Sequence, residues 1–270
     1  MTDAAILWAP LRASVIRKRL CAQGLYAPVT VSDETSSTQN DALNGLRAGA
    51  RHGAVYAAEH QTQGRGRRGR RWLTTPGGLL FSVIVRDGVA SSGPVGRLTV
   101  AAVMGTVRAI QDCTGASASI KWPNDLMFAE AKAGGVLVET YKDAAVVGVG
   151  LNALSGAGRA EGQATTAIAA FATRVFDRND LLAACVLQIL DCLTAEGAAW
   201  DAVYSEWVGR STLLGRQVEI SGALCARGLV EGFAPDGALR LRDEAGNRRQ
   251  IRSGDVSLRP MEDAQAGIHE

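Results

Sequence analysis

The stretch GAVYAAEHQTQGRGRRGRRWLTTPGGLLFSVIVR, residues 53–86, sets a cluster of positive charge between two apolar segments. Residues 53–60 and 78–86 have the composition of β-strands, and the second is apolar enough to be buried on both faces. Between them, five arginines fall within residues 65–71 and alternate with glycines. Glycines let a backbone approach a ligand, and guanidinium groups bind phosphate or carboxylate in planar, two-point fashion. The stretch therefore predicts an anion-binding loop between two strands.

The rest of the chain is close to electrically neutral, with 270 residues and a formal net charge of +2. This balance argues against a protein that coats nucleic acid, and it favours a specific anion as the partner of the arginine–glycine stretch. A nucleic-acid patch remains an alternative, although Trp72 is the only aromatic residue beside the stretch.

The composition also indicates the cellular compartment in which the protein works. No apolar run approaches the roughly 20 residues that a membrane helix needs, and the N-terminus lacks the pattern of a signal peptide. The five cysteines are scattered without CxxC spacing, and there are only three histidines. These features argue against a disulfide framework or a zinc site and predict a reducing, cytoplasmic environment.

The pattern of apolar residues around the opening stretch alternates between helix and strand periods. Helices are predicted over 11–24, 37–50, about 94–113, 179–197 and 199–208, and further strands over 29–33, 118–122, 134–141 and 144–152. Residues 153–170 are rich in alanine and glycine and predict an irregular loop. From Gly215 onward, polar and apolar residues alternate between hairpin turns, which predicts a small all-β appendage.

Three further segments carry residues suited to ligand chemistry. KWPNDLMF (121–128) places a Pro-Asn-Asp turn after a strand, and AKAGGVLVE (131–139) places Lys132 before two glycines. In VGVGLN (147–152), the two glycines fall on one face of a strand, which either packs closely against a helix or lines a flat ligand.

Together these segments indicate a flat, partly apolar ligand that carries phosphate and carboxylate. No Walker A motif, no GxGxxG between strand and helix and no GxSxG nucleophile elbow is present. The sequence therefore predicts chemistry without a protein nucleophile, driven by positioning and by charge stabilisation.

EHQTQGRGRRGRRW, KWPNDL, KAGGVLVE and VGVGLN occur in the order and approximate spacing of the biotin protein ligases, which this chain resembles. The resemblance implies an α+β fold, with a mixed β-sheet and helices in the manner of the class II synthetase-like biotin–lipoate ligases, plus a small C-terminal SH3-like barrel. It divides the chain into an N-terminal extension with a short helix (1–30), a biotin- and ATP-binding catalytic domain (31–212), the barrel (213–260) and a tail (261–270).

The family's reaction has two steps. Biotin and ATP form biotinyl-5′-AMP, and a lysine of a biotin carboxyl carrier domain of an acyl-CoA carboxylase then takes the biotin. Mg²⁺ is expected to arrive with ATP near Asn124 and Asp125, and no metal site of the protein's own is expected. The short segment before residue 31 implies a single-function ligase without operator binding, and a homodimer stays open.

The resemblance carries site roles onto matching positions. It makes Lys132 and Arg67 the catalytic residues. The biotin-binding set is Ser37, Thr38, Gln39, Gln61, Arg65, Gly66, Arg67, Lys132 and Gly135. The ATP-binding set is Arg68, Trp72, Lys121, Asn124, Asp125, Asn152 and Arg259. The arginine–glycine loop is then a lid that self-repulsion keeps disordered until biotin and phosphate neutralise it, after which it shields the anhydride from water.

Two positions depart from the family's pattern. Gln39 follows Ser-Thr where asparagine is common, which could alter the biotin pocket, and Gln63 precedes the lid glycine where alanine is usual. Two other functions stay open at this point: a lipoate ligase or octanoyl transferase relative, and a nucleic-acid-binding protein.

Overall fold

The structure is a computed structural model. It describes residues 9–86, 94–156, 159–160, 163–221 and 225–258. The first eight residues and the predicted tail at 261–270 lie outside the described residues.

The centre of the molecule is a mixed sheet whose strands lie in the order β1-β2-β3-β7-β6-β5-β4. Its strands are β1 (Val29–Thr35), β2 (Val55–Gln61), β3 (Leu79–Val85), β4 (Ser119–Lys121), β5 (Asp125–Phe128), β6 (Ala131–Tyr141) and β7 (Ala144–Leu151). The first two strands pair in parallel, and every other neighbouring pair is antiparallel. Every residue of β3 is buried, as its almost wholly apolar composition predicts.

Helices cover both faces of this sheet. They are α1 (Ala13–Ala22), α2 (Thr38–Arg47), α3 (Val95–Thr114), α4 (Arg178–Thr194) and α5 (Gly197–Gly209). Helix α2 packs on one face, where its Ala42 and Leu46 form a buried cluster with Ile84 and Val146 of the sheet. The other face carries the main core with α1, α3 and α4. Among the helices that the structure describes, none has the length and apolar character needed to cross a bilayer.

A second, fully antiparallel sheet forms the C-terminal part, with strands in the order β13-β12-β11-β10-β14. Its strands are β10 (Gln217–Ser221), β11 (Ala226–Phe233), β12 (Leu239–Arg242), β13 (Arg248–Ile251) and β14 (Asp255–Leu258). This sheet is fastened to the first part: Trp122 Nε1 donates to the Gly237 carbonyl at 2.8 Å, and Tyr204 Oη donates to the Phe233 carbonyl at 2.9 Å. The α+β class and the C-terminal β-structure predicted from the sequence are confirmed.

The structure corrects the sequence interpretation in two places. Asp125, predicted to lie in a turn, is the first residue of β5, because the turn closes one residue earlier, after the cis Trp122–Pro123 bond. The segment 153–170, predicted to be irregular, contains a short strand pair, β8 (Arg159–Ala160) with β9 (Gln163–Ala164), and a 3₁₀ turn. An alanine- and glycine-rich composition gave no periodic signal for either.

Candidate active site

A cavity of about 130 Å³ opens between the sheet and the arginine–glycine loop, residues 64–71, which we term the arginine loop. Its walls come from the N-terminus of α2, the end of β2, the arginine loop and the facing parts of β5, β6 and β7. Strand β7 lies between β3 and β6, so residues that are far apart in sequence meet over the middle of the sheet.

Most residues predicted to bind biotin or ATP line this cavity. They are Ser37, Thr38, Gln39, Gln61, Arg65, Gly66, Arg67, Trp72, Asn124, Asp125, Lys132, Gly135 and Asn152. Of the described residues predicted to bind ATP, Arg68 and Lys121 do not line it. Arg259, also predicted to bind ATP, lies outside the described residues.

One wall of the cavity is a neutral hydrogen-bond network. The Thr38 backbone N–H donates to Gln61 Oε1 at 2.8 Å, and Thr38 Oγ1 lies 3.1 Å from Ser82 Oγ. Ser82 Oγ donates in turn to Gln39 Oε1 at 3.0 Å, and Gln39 Nε2 donates to the Val146 carbonyl. Because these groups are buried and mutually paired, their positions are fixed before any ligand binds.

Beside this network lies Ser37, which is fully buried. Its Oγ has no hydrogen-bond partner among the described residues. A buried hydroxyl in this state is costly unless something else pairs with it. Since Ser37 lines the cavity, a polar group of a ligand is the natural partner.

Two glycines of β7 leave room for this wall and for an aromatic ring. A Cβ at Gly148 would collide with Gln39 Oε1, and a Cβ at Gly150 would come within 2.6 Å of the Trp72 ring. The side chains of Gln39 and Trp72 both line the cavity, so the absence of side chains at Gly148 and Gly150 leaves room for two residues of the cavity wall. Gln39 belongs to α2, so at Gly148 close helix packing, the other reading of this pattern, also applies.

The opposite wall carries charge. Lys132 Nζ lies 2.6 Å from Asp125 Oδ1, and both side chains are mostly buried. Arg67 Nη1 donates to Asn124 Oδ1 at 3.4 Å. Burial lowers the pKa of the Arg67 guanidinium, and the Asp125 carboxylate opposes that shift. Two cations from different segments therefore face one corner of the cavity, marked by Asn124 and Asp125.

Strand pairing explains how this corner forms. Asp125 pairs with Gly135, whereas Met127 pairs with Lys132, because a bulge interrupts the β5–β6 register between Leu126 and Met127. A Cβ at Gly135 would lie 3.5 Å from Asp125 Oδ1 and 3.6 Å from Lys132 Cε, which is ordinary van der Waals contact, so Gly135 adjoins the ion pair. At Gly134 a Cβ would come within 2.5 Å of the Leu151 side chain, so that glycine serves the packing of the sheet.

The remaining arginines of the loop are paired outside the corner. Arg65 donates to Asn40 Oδ1 at 2.9 Å and to Glu139 Oε1 at 2.8 Å. Arg71 donates to the Thr62 carbonyl at 2.7 Å. Acceptors both distant in sequence, such as Glu139, and adjacent to the loop, such as the Thr62 carbonyl, therefore offset the repulsion among its arginines.

Arg68 and Arg70 both reach the C-terminal sheet. Arg68 Nη1 lies 3.2 Å from Asp255 Oδ2, and Arg70 Nη2 lies 2.9 Å from Asp255 Oδ1. Arg68 Nη1 also donates to the Ser221 carbonyl at 3.1 Å. The loop is thus attached to both sheets.

Sequence reasoning missed several residues of the cavity wall. They are Arg70, Arg71, Leu73, Ser82, Leu137, Val149, Gln163 and Thr165. Ser82 had one available signal, a single serine within an otherwise apolar strand. Thr165 had none: it reaches the cavity because the Thr166 N–H donates to the Lys132 carbonyl at 3.0 Å, which brings the 163–165 segment alongside β6.

This arrangement suits a ligand with two unlike ends. A polar, uncharged group fits the network around Thr38 and Ser37, and an anion fits between Lys132 and Arg67. Trp72 adds a flat apolar surface, with its ring centroid 5.7 Å from Lys132 Nζ. Among the described residues that line the cavity, no hydroxyl is paired with a histidine or a carboxylate, so the geometry supports charge stabilisation and orientation of bound reactants.

The chain matches two family descriptions, "Biotin/lipoate A/B protein ligase family" over residues 31–152 and "Biotin protein ligase C terminal domain" over residues 213–259. It is 30% identical over 264 residues to the biotin–[acetyl-CoA-carboxylase] ligase of Mycobacterium tuberculosis, covering 95% of this chain and 98% of that protein. It is also 30% identical over 242 residues to the enzyme of the same name from Paracoccus denitrificans, covering 79% of this chain and 94% of that protein.

A solved structure shares the arrangement of elements. The biotin protein ligase from Aquifex aeolicus in complex with biotin and ATP superposes with a TM-score of 0.73 and 28% sequence identity. The match covers 86% of this chain and 98% of that chain, so both sheets described above belong to the shared fold.

Proposed function

Because this chain belongs to the biotin protein ligase family, we propose that its cavity joins biotin to ATP and passes the biotin to a carrier protein. In the first step a biotin carboxylate oxygen attacks the α-phosphorus of ATP, and the bond to pyrophosphate breaks. In the second, a neutral lysine ε-amine of the carrier attacks the acyl carbon of biotinyl-5′-AMP. An amide forms, AMP leaves, and the amine loses a proton to solvent.

We propose that the neutral wall binds the ring system of biotin. The ureido group of biotin has one carbonyl oxygen and two N–H groups, so it needs both donors and acceptors in fixed positions. Thr38, Gln61 and the unpaired Ser37 hydroxyl supply such groups, and Gln39 is held in place by Ser82. Here glutamine takes the place of the family's usual asparagine, and Gly148 makes room for the longer side chain.

We propose that the charged corner binds the reacting groups, the biotin carboxylate and the α-phosphate. Negative charge grows on the carboxylate and α-phosphate oxygens during adenylation, and cations held nearby in a partly buried site stabilise that charge strongly. Lys132 and Arg67 are the two cations that face this corner, and they reach it from β6 and from the arginine loop. Their convergence beside the neutral wall is the observation that carries the proposal.

The nucleotide is proposed to extend past Trp72 and Asn152. Trp72 offers a flat ring over Gly150, and Asn152 Nδ2 donates to the Lys132 carbonyl at 3.4 Å, so it adjoins the charged corner. Arg70, Gln163 and Thr165 complete the polar lining of the cavity. For Arg68 and Lys121, a role in binding the nucleotide stays a prediction.

The residues present fit Mg²⁺ that arrives with ATP. The described residues contain no group of three or more His, Cys, Asp or Glu that could hold a metal by themselves. Mg²⁺ commonly binds through one or two carboxylates and the substrate's phosphates, and Asp125 is the carboxylate at this corner. Since Asp125 Oδ1 contacts Lys132, its use as a ligand would require Lys132 to move toward the anionic substrate.

The other candidate functions have less support. The first family description includes lipoate enzymes, but the match at residues 213–259 is to the biotin protein ligase C-terminal domain specifically. Against a nucleic-acid-binding loop, the arginines at 65, 67, 68, 70 and 71 all contact acceptors of this same chain.

A cytoplasmic location agrees with the cysteines. Each of the five carries a free thiol, and burial raises the pKa of Cys113 and Cys192 to about 11. Thiols in that state are poor nucleophiles near neutral pH, so Cys113 and Cys192 are structural residues and take no part in the proposed chemistry.

The function is tested by incubating the protein with biotin, Mg·ATP and a biotin carboxyl carrier domain, and measuring the carrier's mass. We expect one biotin on one lysine, and no addition when lipoate or octanoate replaces biotin. An unmodified carrier, or a carrier that gains an octanoyl or lipoyl group instead, would contradict the proposal.

A further inference from the structure

The C-terminal sheet holds the arginine loop through a single carboxylate. Asp255 begins β14, and its register partner Ser221 ends β10. Arg68 and Arg70 bind the two oxygens of this carboxylate, at 3.2 and 2.9 Å. Arg68 also donates to the Ser221 carbonyl, so both members of one strand pair bind the loop.

The fold of the loop gives neighbouring arginines different partners. The Gly66 N–H donates to the Arg70 carbonyl at 2.8 Å, which closes a tight turn. Arg68, inside that turn, has a φ of 58°, in the left-handed region that non-glycine residues rarely occupy. Within this turn Arg67 donates to Asn124 at the corner of the cavity, whereas Arg68 and Arg70 bind Asp255 of the C-terminal sheet.

Asp255 therefore fixes Arg67 through its neighbours. Arg67 has no ion pair of its own among the described contacts, and its one hydrogen bond, to Asn124, is long at 3.4 Å. Burial disfavours its charge, as its lowered pKa indicates. Arg68 and Arg70, which follow it in the turn, make shorter contacts to Asp255, so these contacts hold the turn over the cavity.

This contact is not needed to attach the C-terminal sheet. Trp122, Tyr204 and Trp207 join the two parts through the Gly237 carbonyl, the Phe233 carbonyl and the Phe233 ring. None of these contacts involves the arginine loop. Removing the Asp255 charge should therefore release the loop while the domain stays in place.

We propose that Asp255 is a positioning residue through which the C-terminal domain closes the arginine loop over the cavity. The inference rests on the proposed function in that the enclosed species is biotinyl-5′-AMP. The acyl-adenylate is retained, and shielded from water, for as long as Arg68 and Arg70 stay on Asp255. The C-terminal domain thereby limits loss of the intermediate before a carrier lysine arrives.

Asp255→Asn tests this proposal, and Glu231→Gln is the matched control. Glu231 also lies in the C-terminal sheet and also holds two arginines, Arg242 and Arg248, at 2.7 and 2.9 Å, but these belong to the sheet itself. Adenylate formed with biotin and Mg·ATP is separated from free nucleotide, and its release is timed by trapping with hydroxylamine. We expect release to be about threefold to tenfold faster in Asp255→Asn, since two partly exposed ion pairs are lost, and unchanged in Glu231→Gln.

Ionic strength supplies a readout that a purely structural role would not change. Salt screens partly exposed ion pairs, with a Debye length of about 8 Å at 0.15 M and about 3 Å at 1 M. Release from the unaltered protein should therefore rise with salt, whereas release from Asp255→Asn should already be fast and change little.

Loop closure is also measured without reference to any activity. Trypsin cleaves after arginine, so cleavage within residues 65–71, followed by mass spectrometry, reports opening of the loop. We expect faster cleavage after Arg65, Arg67, Arg68 and Arg71, the sites common to both variants, in Asp255→Asn and in Arg70→Gln, which removes one pair from the loop side should the first variant fold poorly. Cleavage equal to that of the unaltered protein in a folded variant, or equal rates of adenylate release, would overturn the proposal.

The proposed function and the proposed role of Asp255 can be refuted separately. If the unaltered protein shows no biotin-dependent ATP–pyrophosphate exchange, the proposed function fails, and tryptic cleavage alone decides whether Asp255 closes the loop. If exchange is present and Asp255→Asn retains the adenylate as well as the unaltered protein does, the function stands and the role of Asp255 is refuted.

Discussion

Lys132 Nζ lies 2.6 Å from Asp125 Oδ1, across neighbouring antiparallel strands whose register is broken by a bulge. The carboxylate holds the ammonium at the corner that Arg67 also approaches. Under the proposed function, an anion bound at this corner would compete with Asp125 for the Lys132 ammonium, and Asp125 would then be free to bind a cation that accompanies the anion. This exchange of partners links the resting geometry to the proposed adenylation.

Replacing Lys132 by alanine should reduce biotin-dependent ATP–pyrophosphate exchange by about 100-fold or more, because a charge-stabilising group at the reacting atoms is lost. Lys18→Ala, on the exposed face of α1, is the control and should leave exchange unchanged. Equal thermal stability of the two variants excludes unfolding as the cause. A loss below about tenfold, roughly 1.4 kcal/mol, would remove Lys132 from its assigned role.

Arg67→Gly should leave adenylation detectable but let biotinyl-5′-AMP escape. The loop would lose its inward-facing cation while Arg68 and Arg70 kept their contacts to Asp255. The measurement is biotin transfer to bystander proteins, such as serum albumin, separated from the ligase by a dialysis membrane. Biotin found only on the ligase side, with the intermediate still tightly held, would contradict this prediction.

Gly150→Ala should weaken nucleotide binding more than biotin binding. The added methyl group would come within 2.6 Å of the Trp72 ring, so the ring must move from its place in the cavity. Overpacking of this kind commonly costs about 1–3 kcal/mol, which corresponds to a roughly five- to 150-fold higher KM for ATP if it is expressed in binding. Gly209→Ala, where a Cβ meets nothing within 4 Å, is the control. An unchanged KM for ATP in Gly150→Ala would show that Trp72 does not contribute to the nucleotide site.

Ser82→Ala should raise the KM for biotin. The substitution leaves Gln39 Oε1 without its 3.0 Å donor and removes the hydroxyl beside Thr38, so the neutral wall loses its fixed geometry. An unsatisfied buried acceptor costs about 1–3 kcal/mol. Thr106→Val removes another buried hydroxyl, on α3 away from the cavity, and should leave the KM for biotin unchanged. Equal effects of the two substitutions would mean that Ser82 matters only for folding.

Local patterns were enough to predict much of this fold. The nearly unbroken apolar run of β3 predicts burial on both faces, and the helix predicted over about 94–113 ends just before Gly115, which adopts φ 72°. The alternation after Gly215 predicts the C-terminal sheet. These features depend on neighbours in sequence, which is why composition and periodicity reveal them.

The parts that the sequence did not predict depend on distant partners. Asp255 lies near the arginine loop only because two separate sheets meet there, and Thr165 reaches Lys132 only because its loop folds back onto β6. The sequence indicated five mutually repelling arginines, whereas the structure pairs four of them with acceptors outside the cavity corner and leaves Arg67 facing it. The motifs identified many residues of the cavity, but long-range contacts fixed which arginine faces Asn124.

The most direct test of the central claim is a crystal structure of this protein with biotin and a non-hydrolysable ATP analogue. We expect the ureido group to lie against Thr38 and Ser37. We expect the biotin carboxylate and the α-phosphate to lie between Lys132 Nζ and the Arg67 guanidinium. Both ligands bound elsewhere, or Lys132 and Arg67 turned away from those oxygens with both ligands present, would contradict it.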